Sequence, residues 1–373
     1  RPMPALSFSP ALSLWTQLGR ISPARPLHTL LRSAGYKWRP PHPTAHTPRI
    51  SRAQDALLSA GAAGLHQRAQ LLCERRPGPV STIVLGGFIP DSTEQVFLLR
   101  NHLVRHGSVF YLNYPRCGFS TDMLCAQLDD LVAEIAECDG QQPVVLAVSW
   151  GAGLLLEWLR WHKAAGTTPA LAGLVIVSPV ACVEDLIAPG ETKPSTLLGR
   201  ALKPYLDAPG DVAPETVEKS RAIFTKMFES GAQNKNALRA LLTRGELQRL
   251  RDAVLSTIRH VDARGAVERV GALRHMQSPR DYFAPALLPL SDAPTLILYA
   301  EKEGAVITES SPTRFVFEKA HRAYFPHSDC RCVSNPIGSP VQHASLIFHY
   351  FNFLPPIAGF YRQLKTGENR RSA

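Results

Sequence analysis

Pro143-Val-Val-Leu-Ala-Val148 runs straight into Ser149-Trp-Gly-Ala-Gly153. The first six positions are apolar and mostly β-branched or aliphatic, too short a run for a buried helix, so they read as a strand buried on both faces. The next positions turn sharply, and apolar residues through Trp161 continue at helical spacing. Ala147 and Gly151 flank the turn two residues either side of Ser149, where a tight strand-to-helix junction leaves no room for a larger side chain. Gly153 adds further room. A serine at that tip stands at a helix N-terminus, where the helix dipole favours developing negative charge.

Outward from this junction the same alternation repeats. Val80–Leu85, Val109–Tyr114 and Leu174–Ser178 read as buried strands, and Pro294–Ala300 as another after a long gap. Helical spacing is expected over 54–74 (Leu57, Leu58, Leu65, Leu71), over 93–106, and after Ser120 or Thr121, where Leu124, Leu128, Leu131, Val132 and Ile135 share a face. A short strand is expected near His321–Phe325, and a closing helix from about Val341 to Leu354. Strands alternating with helices predict an α/β chain with a mostly parallel, doubly wound sheet. Residues 181–290 interrupt it with charged, helix-rich sequence, so the expected organisation is core 55–180, helical cap 181–290 and core 291–373.

Charge is distributed unevenly. The 373 residues carry 41 Lys and Arg against 31 Asp and Glu, a net of +10. Residues 1–76 hold 11 basic and 2 acidic side chains, which leaves 30 and 29 for the rest. A nucleic-acid or anionic-membrane partner is therefore not expected of residues 77–373. Residues 1–54 contain eight basic residues, nine prolines and no acid, so an extended, flexible leader is expected. It reads equally as an organelle transit peptide, as a solvated tail, or as residues upstream of the true start.

The seven cysteines are scattered, and Cys330-Arg331-Cys332 is too tight for an ordinary metal knuckle. Reduced thiols inside a cell are expected, in the cytoplasm or, if the leader is a transit peptide, in an organelle. No metal ligand set, no organic cofactor and no membrane-spanning run is expected.

An activated serine needs a base and an oxyanion hole made of two N–H groups. Trp150, directly after Ser149, supplies one. The Gly86-Gly87-Phe88 turn after the Val80–Leu85 strand suits the other, with Phe88 as donor.

The order of strand, Gly-Gly-Phe, helix, strand, Asn113-Tyr-Pro-Arg-Cys-Gly-Phe-Ser120, helix, strand and Ala147-Val148-Ser149-Trp150-Gly151 resembles the α/β-hydrolase superfamily. The last segment is similar to its G-x-S-x-G nucleophile elbow, with Ala147 for the first Gly. Asn113–Ser120 is similar to its D-x-P-G-x-G-x-S segment, with Asn for Asp and Arg116 for Gly. The resemblance covers roughly 78–180 and 292–356, and 181–290 falls where the family places a cap or lid. It implies the order serine, acid, histidine. Glu303, in Glu301-Lys-Glu-Gly304, takes the position of the family's usual Asp, with Asp185 as the alternative. His343 matches the family's histidine position at the start of the closing helix, with His327 as the alternative.

The resemblance implies a serine hydrolase acting on a small-molecule acyl ester, of the esterase or lipase type. A thioesterase or acyltransferase uses the same groups, and a catalytically silent binding protein is the rival of another class. Haloalkane dehalogenases and related epoxide hydrolases place Asp where Ser149 stands, which argues against them. Leu197, Leu198, Leu202, Tyr205, Ile223, Phe224, Met227 and Phe228 are expected to line or seat the cap. Sequence leaves the oligomeric state open.

Overall fold

Apolar residues in runs bury both faces of a strand, and the computed structural model places five such runs side by side at the centre of one sheet. The structure describes residues 43–61, 67–207, 210, 212–231, 242–282, 287–336 and 338–371. Its strands are β1 (Thr44–Ala45), β2 (Gln70–Glu74), β3 (Thr82–Leu85), β4 (Val109–Asn113), β5 (Val144–Val148), β6 (Gly173–Val177), β7 (Thr295–Ala300) and β8 (Ser328–Val333). They form an eight-stranded sheet in the order β1-β2-β4-β3-β5-β6-β7-β8. The β1–β2 and β2–β4 pairs are antiparallel, and all others are parallel.

The alternation along each central strand divides the core in two. Val145 and Ala147 of β5, with Leu174 and Ile176 of β6, pack on one face under helices α4 (Thr121–Asp139) and α5 (Trp150–Ala164). Val144, Leu146 and Val148, with Val175 and Val177, face the other side, where Phe353, Ile357 and Phe360 of helix α11 (Tyr350–Arg371) cover them. Ser120 caps α4 by accepting a hydrogen bond from Met123 N, and Gly140 ends it in the left-handed conformation.

Between β6 and β7 the described residues include four α-helices: α6 (Leu197–Asp207), α7 (Pro214–Gly231), α8 (Arg244–His260) and α9 (Ala263–His275). α8 begins with a capping box between Thr243 and Glu246. Helix α10 (Pro312–Tyr324) lies between β7 and β8. The other α-helices among the described residues are α1 (Arg52–Ser59) and the short α2 (Ser92–Gln95) and α3 (Arg100–Leu103).

Several expected elements differ. The helix expected over 54–74 is confined to α1, and Gln70–Glu74 is an antiparallel strand instead. Leu65 lies outside the described residues. The helix expected over 93–106 is the two short helices α2 and α3. His321–Phe325 closes α10 and is not a strand, and the last strand starts at Ser328. The closing helix starts at Tyr350, because Val341–Ser345 is a loop that carries His343.

The boundary expected at 54 also falls inside α1. Residues 1–42 lie outside the described residues, but Thr44–Ala45 pairs with β2, and the segment that follows is held by the acids of α4. Glu134 accepts from Arg49 N (2.7 Å) and Arg49 Nε (3.0 Å) and bonds His46 Nε2 (2.8 Å). Asp130 accepts from the backbone N–H groups of Ala53 and Gln54. The basic charge that makes this stretch look like a solvated tail is neutralised by side chains some 80 positions away, a pairing that local composition cannot reveal. Among the described residues no helix is long and apolar enough to cross a membrane.

Candidate active site

Ser149 sits where β5 ends and α5 begins, with φ 54° and ψ −119°. A non-glycine residue there costs about 1–3 kcal/mol and persists only where the surroundings hold it. They do: Ser149 N donates to Val177 O (2.8 Å), and Ser149 O accepts from Val180 N (3.1 Å). A Cβ at Gly151 would come within 2.2 Å of Gly86 O, and one at Gly153 within 2.1 Å of Val180 O. These contacts explain the small residues after the serine. Ala147 is fully buried within β5 and its methyl is accommodated, so the turn does not require glycine there.

Ser149 Oγ lies 2.9 Å from His343 Nε2, across 194 positions of sequence. His343 Nδ1 lies 2.5 Å from Glu303 Oε2. The three side chains form one chain of hydrogen bonds at the C-terminal ends of β5 and β7. Glu303 is 2% exposed, and its other oxygen, Oε1, accepts from Ser178 Oγ (2.7 Å) and Ala300 N (2.6 Å). Burial alone would raise its pKa. The charge and hydrogen bond of His343, with the Ser178 and Ala300 donors, outweigh that and hold the carboxyl below its ordinary value.

The loop bearing His343 is fastened to the segment after β7. Lys302 N donates to Val341 O, and Glu301 Oε1 accepts from Asn335 N (3.0 Å) and Val341 N (2.7 Å). Glu301 is therefore a brace for that loop.

The alternatives lie elsewhere. His327 is exposed and precedes β8, at the end of the sheet where Thr295 begins β7, a full strand length from Ser149. Asp185 is fully buried and accepts from Ala181 N, Cys182 N, Ser311 Oγ, Thr313 N and Thr313 Oγ1. It ties the turn after β6 to the start of α10 and is spent on that task. His349 is buried in α11's approach, bonded to Ser345 Oγ and Ser339 O, and burial lowers its pKa.

Gly86-Gly87-Phe88 faces the serine, and a Cβ on Gly87 would lie 3.3 Å from Ser149 Cβ. Ser92 Oγ accepts from Gly86 N, and Tyr114 donates its hydroxyl to Gly86 O. The N–H groups of Phe88 and Trp150 have no acceptor among the described residues. The Phe88 ring stacks on Trp150 at 4.5 Å, and Tyr114 and Phe119 complete an aromatic cluster around that indole. Sequence reasoning missed Ser178, Glu301 and this cluster, since each acts through a partner far along the chain.

Above Ser149 is a cavity of about 150 Å³. Ile89, Leu198, Phe224, Met227, Phe228 and Phe348 supply much of its wall, with Gln95 and Gln342 among the polar members. No group of three or more His, Cys, Asp or Glu among the described residues could hold a metal.

No protein-family model matches the sequence, and no curated protein matches it. Solved structures do resemble the fold. A thermophilic esterase from Thermogutta terrifontis aligns with TM-score 0.52 and 14% identity, covering 79% of this chain and 94% of its own. A Bacillus megaterium epoxide hydrolase gives TM-score 0.52 at 11% identity, covering 79% and 97%. A bromoperoxidase from Bacillus anthracis gives 0.50 at 16%, covering 79% and 96%. These likenesses, with the mostly parallel eight-stranded sheet, show the α/β-hydrolase fold.

Proposed function

We propose that the protein is a serine hydrolase that cleaves a carboxylic ester through an acyl-serine intermediate. The observation that carries this reading is the 2.9 Å approach of Ser149 Oγ to His343 Nε2, with His343 Nδ1 held by Glu303. The fold is shared by an esterase, an epoxide hydrolase and a bromoperoxidase, so the ester class rests on the serine and its partners.

A hydroxyl is a weak nucleophile until a base takes its proton. His343 accepts that proton as Oγ attacks the ester carbonyl, and then delivers it to the departing alkoxide. Glu303 fixes the imidazole tautomer and stabilises the imidazolium that forms. The N–H groups of Phe88 and Trp150 meet the tetrahedral oxyanion, an interaction worth roughly 3–4 kcal/mol per donor in comparable sites. Water, deprotonated by His343, then releases the acid and restores Ser149. A thioester would follow the same path.

Residues 181–290 act as a cap in this reading. Phe224, Met227 and Phe228 of α7 and Val254 and Ile258 of α8 roof the cavity, which favours an apolar acyl or alcohol group. A cavity near 150 Å³ takes a group of about benzene size.

Reaction with a fluorophosphonate probe tests the proposal. Wild type is expected to label at Ser149 and Ser149→Ala to remain unlabelled. Equal labelling of the two, or none of wild type, would overturn it.

A further inference from the structure

Arg269 of α9 is only 2% exposed and lies between two loops of the core. Its Nη1 donates to Phe88 O (2.7 Å), and its Nη2 donates to Pro115 O (3.0 Å) and Tyr114 O (3.4 Å). The guanidinium also sits over the Tyr114 ring, 5.7 Å from its centroid. Burial, with repulsion from Arg116, pulls its pKa down to about 10, so it stays charged near neutral pH. Hydrogen bonds from a charged donor are stronger than neutral ones. Replacing buried charged groups by apolar side chains of similar volume is often neutral or stabilising, so fold stability alone does not account for a cation here.

The Phe88 N–H is one of the two oxyanion donors in the proposed mechanism, and it belongs to the peptide that joins Gly87 to Phe88. Two consecutive glycines leave that peptide free to turn unless both of its sides are held. On the Gly86 side, Ser92 Oγ accepts from Gly86 N (2.9 Å) and the Tyr114 hydroxyl donates to Gly86 O (2.8 Å). On the Phe88 side, the backbone hydrogen bond among the described residues is the one from Arg269 to Phe88 O. The helix that carries Arg269 is itself clasped to the loop after β4. Glu268 accepts from Gly118 N and Phe119 N, and a Cβ on Gly265 would come within 1.7 Å of Arg116 O. Arg269 therefore reaches Phe88 from a fixed base.

We propose that Arg269 is the positioning residue of the oxyanion hole. It holds the Phe88 carbonyl and so aims the Phe88 N–H at the oxygen that becomes negative when Ser149 attacks. Residues 181–290 then contribute to rate through α9, beside roofing the cavity through α7 and α8. The role rests on the serine-hydrolase reading. Arg269 does not line the cavity above Ser149, so its loss should weaken the transition state more than substrate binding.

The test compares wild type, Arg269→Lys and Arg269→Met as full chains. Each is assayed on p-nitrophenyl butyrate and titrated with a butyl trifluoromethyl ketone and with the matching secondary alcohol. Ser149 Oγ adds to the ketone: the Oγ–carbon bond forms, the carbonyl electron pair moves onto oxygen, and the hydroxyl proton passes to His343. Affinity for the ketone therefore reports the oxyanion hole. The alcohol forms no adduct and reports ground-state binding. Deleting an oxyanion donor outright costs about 10²–10³ in kcat, and misaiming one costs less. Arg269→Met is expected to lower kcat by about tenfold to a hundredfold, with KM and alcohol affinity within about threefold of wild type. Ketone affinity should fall by about the same factor as kcat/KM. Arg269→Lys keeps the charge without the planar fork and should lie between the two, at a loss of about threefold or more. It also decides the matter where Arg269→Met does not fold. The positioning role is overturned by kcat and ketone affinity within about twofold of wild type in Arg269→Met or, where that protein does not fold, in Arg269→Lys. It is overturned equally by parallel loss of ketone and alcohol binding with a rise in KM, which would make Arg269 a prop for the cavity wall. An active wild type beside unaffected variants loses the positioning role alone. A wild type that neither hydrolyses the ester nor binds the ketone overturns the hydrolase reading and this role together.

Discussion

Ser178 donates its hydroxyl hydrogen to Oε1 of Glu303 at 2.7 Å, across 125 positions, and so leaves Oε2 to face the imidazole of His343. Without this bond the carboxylate could rotate and the imidazole would lose its orientation. Ser178→Ala is therefore expected to lower kcat by about fivefold to thirtyfold, the loss that one charge-assisted hydrogen bond of about 1–2 kcal/mol implies. KM should move little, because Ser178 does not line the cavity. Steady-state kinetics on a p-nitrophenyl ester checks the split, and a change in KM alone would refute it.

Glu303 and Asp185 should separate into different kinds of loss. Glu303→Gln keeps the shape but removes the charge that stabilises the imidazolium, and kcat should fall by up to about 10⁴-fold, as for other triads of this kind. Asp185→Asn keeps one acceptor oxygen and puts an NH2 in place of the other, so it strands two or three of the five donors that the carboxylate now satisfies in the turn after β6 and at the start of α10. It should cost about 2–4 kcal/mol of stability, with turnover per folded molecule close to wild type. Melting curves beside active-site titration decide the matter. An Asp185→Asn protein that is stable but inactive would reverse the two roles.

The two histidines make a sharper contrast, since one contacts Ser149 and the other is exposed at the far end of β7. His343→Ala should reduce kcat/KM by about 10³-fold or more, and His327→Ala should leave it within about twofold. Near-full turnover in His343→Ala would remove the base from this mechanism.

What was legible in the sequence follows from where each element lies in the sheet. β3, β4, β5, β6 and β7 are buried on both faces, so apart from Thr82, Asn113 and Thr295 at strand ends their residues are apolar and stand out locally. β8 is an edge strand of Ser328-Asp-Cys-Arg-Cys-Val333 with exposed positions, and its pattern does not distinguish it from a loop. β2 shares its leucines with a spacing that also fits a helix, and only pairing with β4 resolves it. At the candidate site, the elbow has a local steric signature in Gly151. The histidine and the acid have none, and their positions were inferred from order along the chain. Ser178 and Glu301 carry no local mark at all, because their meaning lies in hydrogen bonds to residues 125 and 34 or 40 positions away.

Residues 44–59 should be the part of the fold most sensitive to acid. Burial raises the pKa of Glu134, but the Arg49 and His46 contacts outweigh it and leave the group below its ordinary value. For Asp139 the bonds to Arg49 and Arg75 do the same. A carboxyl whose folded pKa is depressed stabilises the fold above its unfolded pKa, near 4 for these groups, and loses that contribution as pH falls through the folded value. Hydrogen-exchange protection in residues 44–59, taken relative to the intrinsic rate at each pH, should therefore be high near neutral pH and fall below about pH 4 before that of the central strands. Arg49→Ala should produce the same loosening near neutral pH. Exchange that stays uniform across the fold in acid would contradict this account.

The roof of the cavity should set acyl length. Phe228 of α7 meets Phe348 with ring centroids 5.3 Å apart, and both line the space above Ser149. Replacing Phe228 with Ala removes a ring from that wall and opens room for a longer chain. Each additional methylene that becomes buried is worth about 0.8 kcal/mol, or about fourfold in kcat/KM. The ratio of p-nitrophenyl octanoate to p-nitrophenyl butyrate turnover should therefore rise in Phe228→Ala by about tenfold or more, if only two methylenes gain burial. The absolute rate on butyrate should fall modestly, since the short chain then leaves part of the enlarged cavity unfilled. A ratio that does not change would mean that the acyl chain does not run beneath α7, and the role of residues 181–290 as a specificity-setting cap would fall with it.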